Sequence, residues 1–61
     1  MYKITLSPTF ASNASLNRTI AEQAKLDLFG NKFRSVVEAE EHAIWITGIE
    51  LMFTSRIERI N

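Results

Sequence analysis

Sixty-one residues with no cysteine, one histidine, and seven basic side chains against seven acidic ones describe a single small domain without disulfides or thiolate metal sites. The formal net charge of zero argues against a dedicated nucleic-acid binder, which carries a basic excess or stripe. A chain of this size buries only about 60% of its unfolded surface, so good packing or association must supply the rest of its stability.

An apolar content of 46% with 23% charged residues is a globular balance, not a disordered one. No apolar run approaches the length of a membrane-spanning helix, which needs roughly 18 residues or more. The first residues, MYKITLSP, lack the basic and apolar regions of a signal peptide. The expectation is a cytoplasmic protein with no membrane partner.

Residues 2–7 alternate, with Tyr2, Ile4 and Leu6 on one face and Lys3, Thr5 and Ser7 on the other. That is a half-buried strand, stopped by Pro8, which lacks a ladder N–H. The connection PTFASNAS leads to helix-start residues, with Ser15, Asn13 and Asn17 as rival caps and Thr19 and Glu22 at capping-box spacing. Leu16, Ile20, Ala24 and Leu28 recur every four residues and predict an amphipathic helix over about 14–29. Gly30-Asn31 suits a left-handed stop. The same dipeptide is also a hairpin signal, so a shorter helix ending near Lys25 competes.

From Phe33 the chain is dense in β-branched residues: Val36, Val37, Ile44, Ile46, Thr47, Ile49, Thr54, Ile57 and Ile60. Such density favours strands, and the reading is three of them, at about 33–39, 42–47 and 49–58. Glu40-Glu41 forms the first reversal and Thr47-Gly48 the second. Pairing Ile46 with Ile49 places Ile44, Ile46, Ile49, Leu51 and Phe53 on one face. Trp45, Met52 and Glu50 then lie on the other, with Val36 beside them. The rival is a second helix from about Ser35 to Ile46, since EAEEHA has good helix propensity.

The expected fold is therefore α+β in the order β-α-β-β-β, one largely antiparallel sheet packed on a single helix, as one domain over residues 1–61. Its core would hold Tyr2, Ile4, Leu6, Leu16, Ile20, Ala24, Leu28, Ile44, Ile46, Ile49, Leu51 and Phe53.

Glu38, Glu40 and Glu41 followed by His42 is the one cluster with metal or acid–base potential. It offers two or three converging ligands, where zinc takes four and hard cations six or more oxygens. A solvated charged turn is the preferred reading, with no metal and no cofactor. A single histidine gives no scaffolded triad, and Gly30 and Gly48 stand outside any phosphate-loop pattern. No catalytic residue is assigned and no enzyme is expected.

Trp45, Met52, Val36 and Glu50, on the sheet face turned from the helix, are the candidate protein-interaction residues, since Trp and Met are enriched in interface cores. The long last strand, as a sheet edge, is expected to offer a second route to association. The expected function is a non-enzymatic interaction module that binds another protein as a regulator or inhibitor and forms a homodimer. Small accessory proteins of phage or mobile elements fit that description. The alternative is a nucleic-acid-binding or transcription-regulating module using Arg34, Arg56 and Arg59, whose phosphate contacts would be strongly salt-dependent.

Overall fold

The computed structural model describes residues 1–48 and 51–60. The element order is β1 (Tyr2–Pro8), α1 (Asn13–Leu28), α2 (Val36–Thr47) and β2 (Phe53–Arg59). The mixed α+β class stands, but the order is β-α-α-β, with a two-stranded antiparallel sheet carrying two helices.

β1 forms where the alternation predicts it. Ile4 and Leu6 are buried while Lys3 and Thr5 are only partly covered. Pro8 is the last residue of the strand and stands opposite Phe53. Tyr2, Ile4 and Leu6 turn their backbone polar groups away from β2, so by parity the N–H missing at Pro8 subtracts nothing from the ladder.

α1 is capped by Ser12, one residue before the predicted candidates, whose hydroxyl accepts from the Ser15 N–H at 3.2 Å. It closes through Phe29 onto Gly30 (φ 106°) and Asn31 (φ 28°), the left-handed stop the sequence indicates.

The segment read as two strands and a turn, 33–47, is instead a one-residue bridge and a helix. Phe33 bridges Tyr2, and α2 runs from Val36 to Thr47, as the rival reading has it. Glu40 and Glu41 lie within that helix, and Thr47-Gly48 is its end. The physical reason is visible in the sequence. Ser35 caps the helix by accepting from the Glu38 N–H at 3.1 Å. Ser-Val-Val-Glu has capping-box spacing, and Glu38 suits the positive end of the helix dipole. Ala39 and Ala43, one turn apart, form the inner face and are 0% and 5% exposed. Their small size brings the helix close to the sheet. Propensity for strand at the β-branched positions is overridden by the cap and the small inner face.

The last strand is shorter than expected and pairs with β1, not with a neighbour in sequence. Tyr2 stands opposite Arg59, Ile4 opposite Ile57 and Leu6 opposite Ser55. The hairpin register built on Ile46 and Ile49 is not formed, since Ile46 is helical; Ile49 and Glu50 lie outside the described residues.

Both helices cover one face of the sheet, α1 mainly over β1 and α2 mainly over β2. The core is Ile4, Leu6, Leu26, Ala39, Ala43 and Phe53, with Tyr2, Phe33, Ile46, Met52 and Ile57 packed against it. Six expected core residues lie outside: Leu16, Ile20, Ala24, Leu28, Ile44 and Leu51 are exposed. A four-residue step drifts about 40° around a helix, so the row from Leu16 to Leu28 spans about 120° and cannot face one core. Ser15, Thr19 and Leu26 fall within about 40° of one another, and they are the buried residues of α1.

Candidate protein-interaction surface

The inner face of α1 is polar because it serves the backbone of β1. The Gln23 carbonyl accepts from the Leu6 N–H at 2.7 Å, and its amide donates to the Ile4 carbonyl at 3.1 Å. Asn31 holds the same strand from the helix terminus, accepting from the Ile4 N–H at 2.8 Å and donating to the Ile4 carbonyl at 2.9 Å. Phe33 exchanges both backbone hydrogen bonds with Tyr2 at 2.8 Å. Ser15, fully buried, donates to the Met52 carbonyl and accepts from the Phe10 N–H at 3.3 Å. A buried backbone group needs a partner, and here side-chain amides supply what a third strand would.

With polar residues inside, the apolar ones turn outward. Ile20 is 58% exposed, Leu28 82%, Phe29 88%, Ile44 68% and Trp45 79%. Between the helices runs a groove of about 280 Å³, lined on one side by Leu26 and Phe29 with Glu22 and Lys25, and on the other by His42, Trp45 and Ile46. His42 lies between two rings, 5.2 Å from the Phe33 centroid and 5.9 Å from that of Trp45. A second hollow of about 440 Å³ adjoins Phe10, Thr47, Leu51 and Phe53.

The structure separates the residues the sequence groups together. Trp45 is exposed, but on α2 and not on a sheet face. Met52 is partly buried against the core, with its carbonyl engaged by Ser15 and by the Thr9 N–H at 3.0 Å. Val36 opens α2 and is exposed, and Glu50 lies outside the described residues. The sequence reading misses Phe29, Leu28, Ile20 and Ile44 as surface residues, because it assigns three of them to the core. For Leu28 and Ile20 the signal was the drift of the four-residue row; Ile44 followed from reading α2 as a strand.

Arg34, Arg56 and Arg59 do not form one patch. Arg56 and Arg59 differ in parity along β2, so they project from opposite faces. Arg56 is hydrogen-bonded to Glu58, and Lys3 stands 3.8 Å from the same carboxylate. The Arg56 hydrogen bond, with the positive charges of Arg56 and Lys3, holds the Glu58 carboxyl below the usual glutamate range. Arg34 is exposed beside the Phe33 bridge.

Glu38, Glu40, Glu41 and His42 lie on α2, where successive residues are turned about 100° apart. Among the described residues no three His, Asp or Glu side chains come together as metal ligands, and no helix is long and apolar enough to cross a membrane. Comparison with family models, with curated proteins and with solved structures finds no match to this chain.

Proposed function

We propose that this protein is a non-enzymatic interaction module that binds another protein through its helical layer, as a regulator or inhibitor does, and that it associates as a homodimer. The observation that carries this reading is the outward apolar surface of the helices, centred on Phe29 and Trp45 at 88% and 79% exposure. Contiguous apolar surface on a small domain marks an interaction site, and aromatic anchors dominate binding energy in such sites. Each ring, fully covered, takes on the order of 150–200 Å² from water, about 4 kcal/mol at 25 cal/mol per Å². The entropy lost on association offsets much of that, so several anchors are needed. Leu28 beside Phe29, with Leu26 and Ile46 in the groove walls, supplies them.

Glu22, Lys25 and His42 beside the groove give a polar border of both signs, as the rims of protein interfaces have. The nucleic-acid reading has less support, since Arg56 is engaged by Glu58 and Arg59 points the other way.

The test is capture from lysate by the tagged protein, with and without nuclease, repeated with Phe29→Ala and Trp45→Ala combined. A protein retained after nuclease by the wild type and lost by a variant of equal thermal midpoint supports the reading. Capture that vanishes with nuclease replaces it with the nucleic-acid alternative.

A further inference from the structure

The two edges of the sheet differ. The outer edge of β1 is filled by Phe33, Asn31 and Gln23. On β2 the even residues face β1, as the Ile60 N–H to the Met1 carbonyl at 2.9 Å and the Met52 carbonyl to Thr9 show. The odd residues Phe53, Ser55, Ile57 and Arg59 turn their N–H and C=O groups outward. Among the described residues nothing pairs with those of Ser55, Ile57 and Arg59. Ser55 and Arg59 are exposed. A row of unpaired backbone groups is a template for another strand.

Self-pairing of β2 in antiparallel sense has few registers, because outward-facing residues must meet outward-facing residues. Centring on Arg56 sets Arg56 against Arg56, and centring on Glu58 sets Glu58 against Glu58; like charges directly opposite are destabilising. Centring on Ser55 leaves both charged residues unmatched, with Arg56 facing Thr54. Centring on Ile57 places each Arg56 opposite Glu58 of the second copy. Arg56 and Glu58 are also neighbours within one chain, so the four side chains form a square with opposite charges at every adjacent corner. On the helix side, Ile57 meets Ile57 and Ser55 meets Arg59.

We infer that two copies join β2 to β2 about a two-fold axis at Ile57, building a four-stranded antiparallel sheet with all four helices on one face. The inference rests on the homodimer part of the proposed function and deepens it. The second copy is the occupant because the charge pattern of the edge is complementary to itself. The helices agree with it. α2 is the helix over β2, and on its wheel Val36, Glu40, Ile44 and Thr47 form the flank away from His42 and the groove. Val36 and Ile44 are exposed there, on the side where the second α2 would arrive.

The test is sedimentation velocity over a concentration series at neutral pH and low salt, with folding followed by circular dichroism. The wild type is expected to dimerise. Arg56→Glu and Glu58→Arg, each alone, set two like-charge pairs across the axis and are expected to dimerise about tenfold to thirtyfold more weakly. Mixed in equal amounts they restore two opposite-charge pairs, and a heterodimer of wild-type strength is expected. Ser55→Pro removes an outward N–H without touching the ladder to β1 and is expected to fold and remain monomeric, which keeps the test sharp if a charge variant fails to fold.

Single charge variants that dimerise as tightly as the wild type, or a folded Ser55→Pro dimer of wild-type strength, overturn the edge pairing and leave the homodimer reading to the helical surface. Weak single variants that do not recover on mixing overturn the register. A wild type that stays monomeric overturns this inference and the homodimer reading together, while binding to a different protein is judged separately by the capture experiment.

Discussion

Asn31 holds both backbone polar groups of Ile4, accepting from its N–H at 2.8 Å and donating to its carbonyl at 2.9 Å. Ile4 is 0% exposed, so neither group has access to water. One side-chain amide at the end of α1 thus stands in for a residue of a third strand. Asn31 also donates to the Asp27 carboxylate at 3.0 Å, which fixes the orientation of the amide.

Asn31 has two roles that substitutions can separate. Its φ of 28° is one that glycine adopts without cost. If backbone conformation were its whole purpose, Asn31→Gly would be neutral. The hydrogen bonds instead predict that Asn31→Gly and Asn31→Ala both destabilise. The Ile4 N–H is left buried without a partner, at about 1–3 kcal/mol. For a domain of this size that lowers the thermal midpoint by roughly 10 °C. Asn31→Asp keeps the acceptor but sets a carboxylate against Asp27, and a larger loss is expected at neutral pH than in acid. Thermal melts of the three variants decide the matter, and a neutral Asn31→Gly counts against the strand-mimic role.

The buried and exposed faces of α1 predict an inversion of the usual hydrophobicity rule. Ser15→Ala should destabilise by about 1–2 kcal/mol, because it removes one of the two donors to the Met52 carbonyl and leaves the Phe10 N–H without its acceptor. Leu28→Gln, at 82% exposure, should change monomer stability by no more than about 0.5 kcal/mol. Denaturant titration of both variants checks the ordering. A Leu28→Gln variant of the monomer that loses more stability than Ser15→Ala contradicts the assigned faces.

α2 makes the complementary prediction. Ala39 is fully buried against the sheet, and Ala39→Leu adds volume where the helix lies closest. Overpacking of this kind costs about 1–3 kcal/mol. Had residue 39 ended a strand, as the β-branched density suggests, a larger apolar side chain would be accommodated or favoured. Equilibrium unfolding of Ala39→Leu therefore also tests the helical assignment.

What was legible in the sequence follows from which signals were local. The alternation of Tyr2, Ile4 and Leu6 and the Gly30-Asn31 stop are short-range patterns, and both ends of the β1–α1 unit were found from them. Ser35 and Glu38 carried an equally local signal for α2, but it was outweighed by Val36, Val37, Ile44 and Ile46, whose strand propensity depends on a pleated surface that this segment does not have. The inner face of α1 was hidden for a different reason. Ser15, Thr19 and Gln23 look like solvent-facing residues until the unpaired edge of β1 is placed beside them. That is a long-range fact, since Gln23 and Asn31 act on Ile4 from 19 and 27 positions away. The pairing of β1 with β2 is equally non-local. The candidate surface inherited the error, because Leu28, Ile20 and Ile44 were spent on the core.

The outer face of the sheet gives a prediction in pH. Glu58 is drawn below the ordinary glutamate value of 4.5 first by its hydrogen bond from Arg56, which with the charges of Arg56 and Lys3 and a hydrogen bond with Thr5 outweighs the opposing effect of desolvation. A carboxyl whose folded value lies below its unfolded value contributes stability above the unfolded value and loses it as pH falls through the folded one. The contribution of Glu58 is therefore present at neutral pH and disappears below about the ordinary glutamate value. Because the group is on the surface, the effect on the monomer is small and screened by salt. Glu58→Gln should melt slightly below the wild type near neutrality and converge with it in acid. In the paired dimer each Glu58 carboxyl faces Arg56 of the second copy, a pair that the two-fold axis repeats, so self-association should weaken over the same acid range in the wild type and show a shallower acid dependence in Glu58→Gln. Sedimentation of the two proteins across that range reads the difference. Identical pH profiles would mean that Glu58 does not sit at the joint between the copies.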